Sequence, residues 1–146
     1  MTKNLNLQYL LSYFGLIPYF FIIIDKYFFF QIKEEIIKDF LIYYTLLILV
    51  FIGSINWNLK NQIKSYKAIY GFVPSLLATI IISLNLYNYN YYNIILLLIF
   101  ALTTQLVLDN FLVYNEKSAK RPFYFIRFPL TLIIIIILLS TISSYR

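Results

Sequence analysis

Asp109 and Arg127 are the two residues whose chemistry fits their surroundings least. A carboxylate and a guanidinium each sit inside a long apolar stretch. There a lone charge costs about 2.5–3.5 kcal/mol even on insertion scales. They lie at equal sequence distance from Ser118, in the short polar linker between their stretches. Two antiparallel helices joined by a tight turn bring them to one depth, roughly 7 Å inside the apolar layer at the helical rise per residue. An ion pair between them is expected, with Gln105 one turn from Asp109 on the same helix face. The competing reading is that Arg127 snorkels to the surface and Asp109 is merely interfacial. If the pair forms, its expected work is to hold two helices in register rather than to catalyse.

Other polar breaks lie towards the same side. Ser54, Asn56 and Trp57 close the second apolar stretch, and Pro74 and Ser75 open the third. Tyr124, Pro129 and Thr131 flank Arg127. Either these residues form a polar pocket that takes a ligand, or they pack and anchor helix ends, as Trp does at interfaces and Pro does in a first turn. No Gly-rich phosphate loop and no nucleophile elbow is present. With no His and no Cys, thiol chemistry, disulfides, iron–sulfur clusters and the usual zinc sites are excluded. Glu34, Glu35 and Asp39 interleave with Lys33 and Lys38 and read as a solvated face rather than a metal site. No enzyme activity, cofactor or metal is expected.

Five segments must position these residues, at about 7–24, 40–57, 69–86, 94–114 and 123–142. Each is close to the 20 or so residues a helix needs to cross a bilayer. Runs such as Leu132 to Leu139 do not alternate, which excludes a barrel strand. In lipid the backbone must satisfy its own hydrogen bonds, so helices follow in spite of many β-branched residues. The expected fold is all-α: a single domain over 1–146, an integral membrane bundle of five transmembrane helices. Gly15 and Pro18 predict a kink in the first helix. Apolar residues at helical spacing from Phe29 to Phe40, opposite Lys33, Glu34, Glu35 and Lys38, predict a short interfacial helix over 27–38. The tract from Tyr87 to Asn93 reads as an interfacial aromatic belt.

Composition supports this. Of 146 residues 62% are hydrophobic and only 12% charged, and mean hydropathy is +0.79. A soluble domain carries about a quarter charged residues, and a disordered chain is far less apolar. The net charge of +6 lies in linkers, so it points to orientation in a bilayer and not to nucleic acid. Lys3, Lys60, Lys64, Lys67, Lys117, Lys120 and Arg121 share one side, against Lys26, Lys33, Lys38 and Arg146 on the other. The richer side is expected to be cytoplasmic, with the N-terminus in and the C-terminus out. Small residues are scarce, and no small-xxx-small motif stands out, so few close helix contacts are expected.

At these same residues the sequence resembles a family of small membrane proteins that includes animal transmembrane protein 69, a domain of unknown function shared with many bacteria. The resemblance covers nearly the whole chain. It rests on Gly15 to Phe20, on Phe51 to Trp57, on Val73-Pro-Ser-Leu76, on Asp109, and on Tyr124-Phe-Ile-Arg127 followed by Leu130 and Thr131. Ser54 stands where that family usually has a second Gly, Asn58 where Gly follows the Trp, Thr79 where a Trp is common, and Phe123 where Trp precedes Tyr124. The resemblance implies a bacterial inner membrane, or a mitochondrial inner membrane in a eukaryote. It implies no reaction. The expected function is therefore that of a non-enzymatic multi-pass protein, a scaffold or assembly partner of a larger membrane complex. Lipid and a membrane-protein partner are its expected contacts. The alternative is a small transporter or channel that uses the polar cluster near the cytoplasmic side.

Overall fold

The computed structural model describes residues 10–29, 31–54, 65–112 and 123–144, and all their regular structure is helical. Helix α1 covers Leu10–Phe29, α2 Glu34–Ser54, α3 Ser65–Leu86 and α4 Tyr91–Leu112. A π-helical turn, Phe123–Arg127, leads into α5, Phe128–Ser144. Five helices are thus long and apolar enough to cross a membrane. Their apolar residues divide between two environments. Tyr19, Leu41, Ile42, Leu49, Ile81, Ile95, Leu98 and Leu138 are sealed in the core, while Leu47, Phe51, Phe100, Phe111 and Ile136 point outwards. An apolar outer surface is what a bilayer solvates and water does not.

Prolines shape the helix ends. Pro18 has no N–H to offer the carbonyl four residues earlier, and α1 is interrupted by a turn at residues 15–16 before the regular segment Ile17–Ile24 begins. At that turn the Gly15 carbonyl accepts the Tyr44 hydroxyl of α2 at 2.8 Å. Pro129 likewise cannot bond the Phe125 carbonyl, and Tyr13 of α1 donates to that oxygen at 2.7 Å. The Tyr13 hydroxyl thereby supplies the Phe125 carbonyl with the donor that Pro129 lacks, in a medium that offers no water.

Two expectations need correction. There is no separate interfacial helix over 27–38. Asp25–Phe29 prolongs α1 as a π-helical turn, and Glu34 to Lys38 form the start of α2. The physical reason is that Glu34 and Glu35 fall in the first turn of α2, where the helix dipole favours carboxylates, and Lys38 pairs with Glu34 one turn on at 2.5 Å. Pro74 does not open the third helix either. That helix starts at Ser65, so Pro74 lies in its interior and removes one intrahelical bond, to the Tyr70 carbonyl. Few close small-residue contacts were expected, and among the described residues one stands out. Gly53, Gly71, Pro74 and Ala78 are all buried, and α2 and α3 are the most extensively packed pair. A Cβ on Gly53 would lie 2.7 Å from Pro74 Cγ and 3.0 Å from the Gly71 carbonyl oxygen. That approach is closer than any side chain allows, and it uses two of the three glycines in the sequence.

The end opposite the acid–base residues is tied by polar side chains. Asn85 of α3 donates to Asp39 Oδ1 at 3.0 Å and to the Tyr43 hydroxyl at 3.1 Å, both on α2. The Lys38 ammonium lies 5.4 Å from the centre of the Tyr91 ring on α4, and Tyr91 reaches Thr141 of α5 at 3.4 Å. Lys33, Glu34, Glu35 and Lys38 border an open cleft of about 560 Å³ there. Asn88 closes α3 with φ 54°, a left-handed conformation that Asn tolerates better than most residues. The connection from Leu86 to Tyr91 can therefore be short, which sets α3 antiparallel to α4.

Candidate functional site

The polar residues at the other end converge on Asp109. Its Oδ2 accepts from Arg127 Nε at 2.6 Å, and its Oδ1 accepts from the Tyr70 hydroxyl at 2.5 Å. Both contacts are charge-assisted and short. The Gln105 carbonyl lies 3.1 Å from the same hydroxyl. Tyr70 has one proton, and the carboxylate is the nearer and stronger acceptor, so the carbonyl takes the weaker half of a shared bond. Asp109 is 2% exposed and Arg127 8% exposed, so snorkelling is not how this arginine is accommodated.

Four helices contribute. Asp109 and Gln105 sit one turn apart on α4, near its C-terminal end. Arg127 is the last residue of the π-helical turn before α5. Thr131 is buried one turn later and donates to the Arg127 carbonyl at 2.8 Å. This satisfies a backbone group just where the π turn gives way to α-helix. Tyr70 comes from α3, one turn before Pro74. Gln105 Nε2 crosses to α2 and donates to the Leu49 carbonyl at 3.2 Å. The Gly53–Pro74 contact lies one turn further along α2 and lets α2 and α3 approach beside the cluster.

The residues expected in the polar cluster are thus partly brought together. Asp109, Arg127, Gln105 and Thr131 meet, and Pro74 helps to set the approach of α3. Ser54 does not join: it is exposed, and its hydroxyl donates to Phe51 of its own helix at 2.7 Å. Ser75 is half-buried, and its carbonyl receives the Thr79 hydroxyl at 3.0 Å. Tyr124 is 59% exposed. Asn56 and Trp57 lie outside the described residues. Gly15 and Pro18 mark the interruption in α1 described above.

Tyr70 was missed from sequence, although a signal existed. It is the hydroxyl-bearing residue nearest the start of the third apolar stretch, and in an up-and-down bundle that start lies on the same side as Asp109. Asp25 was also missed. It is 5% exposed, and its Oδ2 accepts the Ile32 N–H at 3.0 Å. It bonds the connection between α1 and α2 back onto α1. A third buried pair joins α1 to α2: Tyr19 and Thr45 lie 2.7 Å apart. The Thr45 proton goes to the Leu41 carbonyl, so Tyr19 is the donor.

Two buried atoms of the network have no hydrogen-bond partner, Gln105 Oε1 and Arg127 Nη2. Among the described residues, no group of three His, Cys, Asp or Glu is placed to hold a metal ion. Chemically, the arrangement is a neutral ion pair whose carboxylate is engaged at both oxygens, with one free acceptor and one free donor edge beside it. The sequence matches the family model described as a protein of unknown function, DUF3429, over residues 6–143. No curated protein and no solved structure matches the chain.

Proposed function

The chain belongs to the DUF3429 family of proteins of unknown function, and from that premise we propose that it is a non-enzymatic multi-pass protein of an inner membrane, serving as a scaffold or assembly partner of a larger membrane complex. The observation that carries this reading is the full engagement of Asp109 by Arg127 and Tyr70. A carboxylate that shuttles protons or does acid–base chemistry needs an oxygen free to meet its substrate or a proton path. Here both oxygens are committed to neighbouring helices, which suits a clamp. Purification of the full chain in mild detergent from native membranes should recover a partner in stoichiometric amount. A monodisperse, partner-free protein would overturn the reading.

The topology belongs to the same proposal. Five crossings put the N-terminus in the cytoplasm and the C-terminus outside, as the basic residues of the linkers favour. The chain has no cysteine, so single cysteines can be introduced one at a time. Cysteines at positions 117 and 33 should react with an impermeant maleimide from opposite sides of a sealed vesicle. Labelling of both from one side would contradict five crossings. The membrane proposed is the bacterial inner membrane, or the mitochondrial inner membrane in a eukaryote. The support is the resemblance to the transmembrane protein 69 family, and fractionation tests it.

One observation favours a second reading. Gln105 Oε1 and Arg127 Nη2 are buried without partners, which suits a small transporter or channel with a binding site near the cytoplasmic side. That reading requires flux of a solute into liposomes, and less of it when Asp109 becomes Asn. Absence of flux for ions, protons and small metabolites removes it.

A further inference from the structure

The two unpartnered atoms are chemically complementary. Gln105 uses its N–H on the Leu49 carbonyl and keeps Oε1, an acceptor. Arg127 uses Nε on Asp109 and keeps Nη2, a donor of two protons. Both residues are more than nine-tenths buried. Nη2 shares the edge of the planar guanidinium that carries the Nε proton, so it lies beside the Asp109 carboxylate. Gln105 stands one helical turn, about 6 Å, from that carboxylate on α4. The loose ends therefore belong to one buried network, Nη2 beside the Asp109 carboxylate and Oε1 on an amide that reaches from α4 towards α2.

Charge narrows what fits. Asp109 and Arg127 cancel, and both carboxylate oxygens are engaged. An anion or a cation bound there would carry an unbalanced charge into an apolar interior. The smallest neutral group that both donates and accepts is a hydroxyl. We propose that hydroxyl groups, of water or of the alcohol of a small amphiphile, bind inside this network, accepting from Arg127 Nη2 and donating to Gln105 Oε1. Buried waters in proteins settle beside polar groups that would otherwise go unsatisfied, and an alcohol head presents the same chemistry. The inference holds whether the bundle acts as a scaffold or as a carrier.

The experiment has two arms, both on the full chain. In lipid nanodiscs, NMR exchange spectra should show cross-peaks from water to the Gln105 side-chain amide and to the Arg127 guanidinium protons. In native mass spectrometry of protein extracted from its own membrane, an alcohol source should appear as a bound amphiphile. Water cross-peaks without an adduct identify water, and an adduct identifies an amphiphile. Arg127→Lys keeps the positive charge towards Asp109 but has no Nη2, so the Gln105 amide cross-peak and any adduct should disappear. Gln105→Met removes the acceptor, so the Arg127 guanidinium cross-peak and any adduct should disappear, and either variant suffices if the other fails to fold. Tyr92→Phe, at an exposed position on the opposite end, should retain the signal. Absence of both cross-peaks and adduct in the unmodified protein overturns the proposal, as does a signal that survives in every folded variant.

Discussion

Breaking the Asp109–Arg127 pair by a double-mutant cycle separates a clamp from an incidental contact. In a soluble protein interior, removing one partner of a buried ion pair costs about 3–5 kcal/mol. Between membrane helices, polar contacts average about 0.6 kcal/mol and reach about 1.7, because the reference state also finds partners. The geometry decides where this pair falls. The side chains are 3% and 9% exposed, which favours the larger figure. Against that, Arg127 is the fifth residue of its helical segment, about 6 Å from Phe123 at 1.5 Å per residue. In Asp109→Ala its long side chain can swing towards water at that end. The variant should therefore lose about 2 kcal/mol, between the two limits. Arg127→Ala should lose less, about 1 kcal/mol, because Asp109 keeps its Tyr70 bond. The coupling energy should reach about 1–2 kcal/mol. Exchange of the two charges should restore only part of it, because the Tyr70 hydroxyl, set to donate to a carboxylate, would then face a guanidinium. Reversible unfolding in bicelles, read by steric trapping or by denaturing detergent, supplies the four stabilities. Single effects that add within about 0.3–0.5 kcal/mol would show no direct interaction and refute the reasoning.

Tyr70→Phe leaves Asp109 Oδ1 buried with no donor, so the same assay should show a loss of about 1–3 kcal/mol. Gly53→Ala forces a methyl group against the rigid Pro74 ring and the Gly71 carbonyl, and should destabilise by about 1–3 kcal/mol. Gly15→Ala meets only the Ser12 carbonyl, at 3.2 Å, so its unfolding midpoint should move much less than that of Gly53→Ala. Tyr44→Phe removes the donor to Gly15 and should cost about 0.5–1.5 kcal/mol, with hydrogen exchange rising first in α1.

The helices were legible because apolar runs of spanning length have few other solutions. Their ends were less so. At α3, the polar residues from Ser65 to Lys67 read as linker, which made Pro74 look like a first-turn proline when it is nine residues inside. At α1, the sequence allowed an end at Ile24 or a continuation towards Phe30, and a π-helical turn carries the helix to Phe29 and buries Asp25. A carboxylate that bonds a backbone N–H looks, in sequence, like one that faces water. At the site, equal spacing about one short linker put Asp109 and Arg127 at one depth, and helical periodicity added Gln105. Those arguments use only neighbouring segments. Tyr70 lies on α3, the other neighbour of α4, and equal spacing about the short connection from Leu86 to Tyr91 puts it at the depth of Asp109 as well, but nothing in the sequence marks it as the tyrosine that faces the carboxylate. Ser54 shows the converse error. A polar residue at a helix end can satisfy itself on its own backbone and take no part in the site.

Scarcity of small residues explains why this bundle is held the way it is. Transmembrane helices commonly gain affinity by bringing backbones together over Gly and Ala. With three glycines in the whole sequence, that device is available once, where Gly53 meets Gly71 and Pro74. Everywhere else bulky Ile, Leu and Phe hold the backbones apart, and dispersion contacts between them differ little from those they make with lipid tails. Specific association must then come from groups that lipid cannot satisfy. Each of those here crosses between helices: Tyr44 to Gly15, Tyr13 to Phe125, Tyr19 to Thr45, Gln105 to Leu49, Tyr70 and Arg127 to Asp109. Most use a tyrosine, whose long ring carries a hydroxyl across the wider gap that bulky side chains impose. The ion pair is the extreme member of this set and not an exception to it. It joins the two helices, α4 and α5, that have no glycine between them.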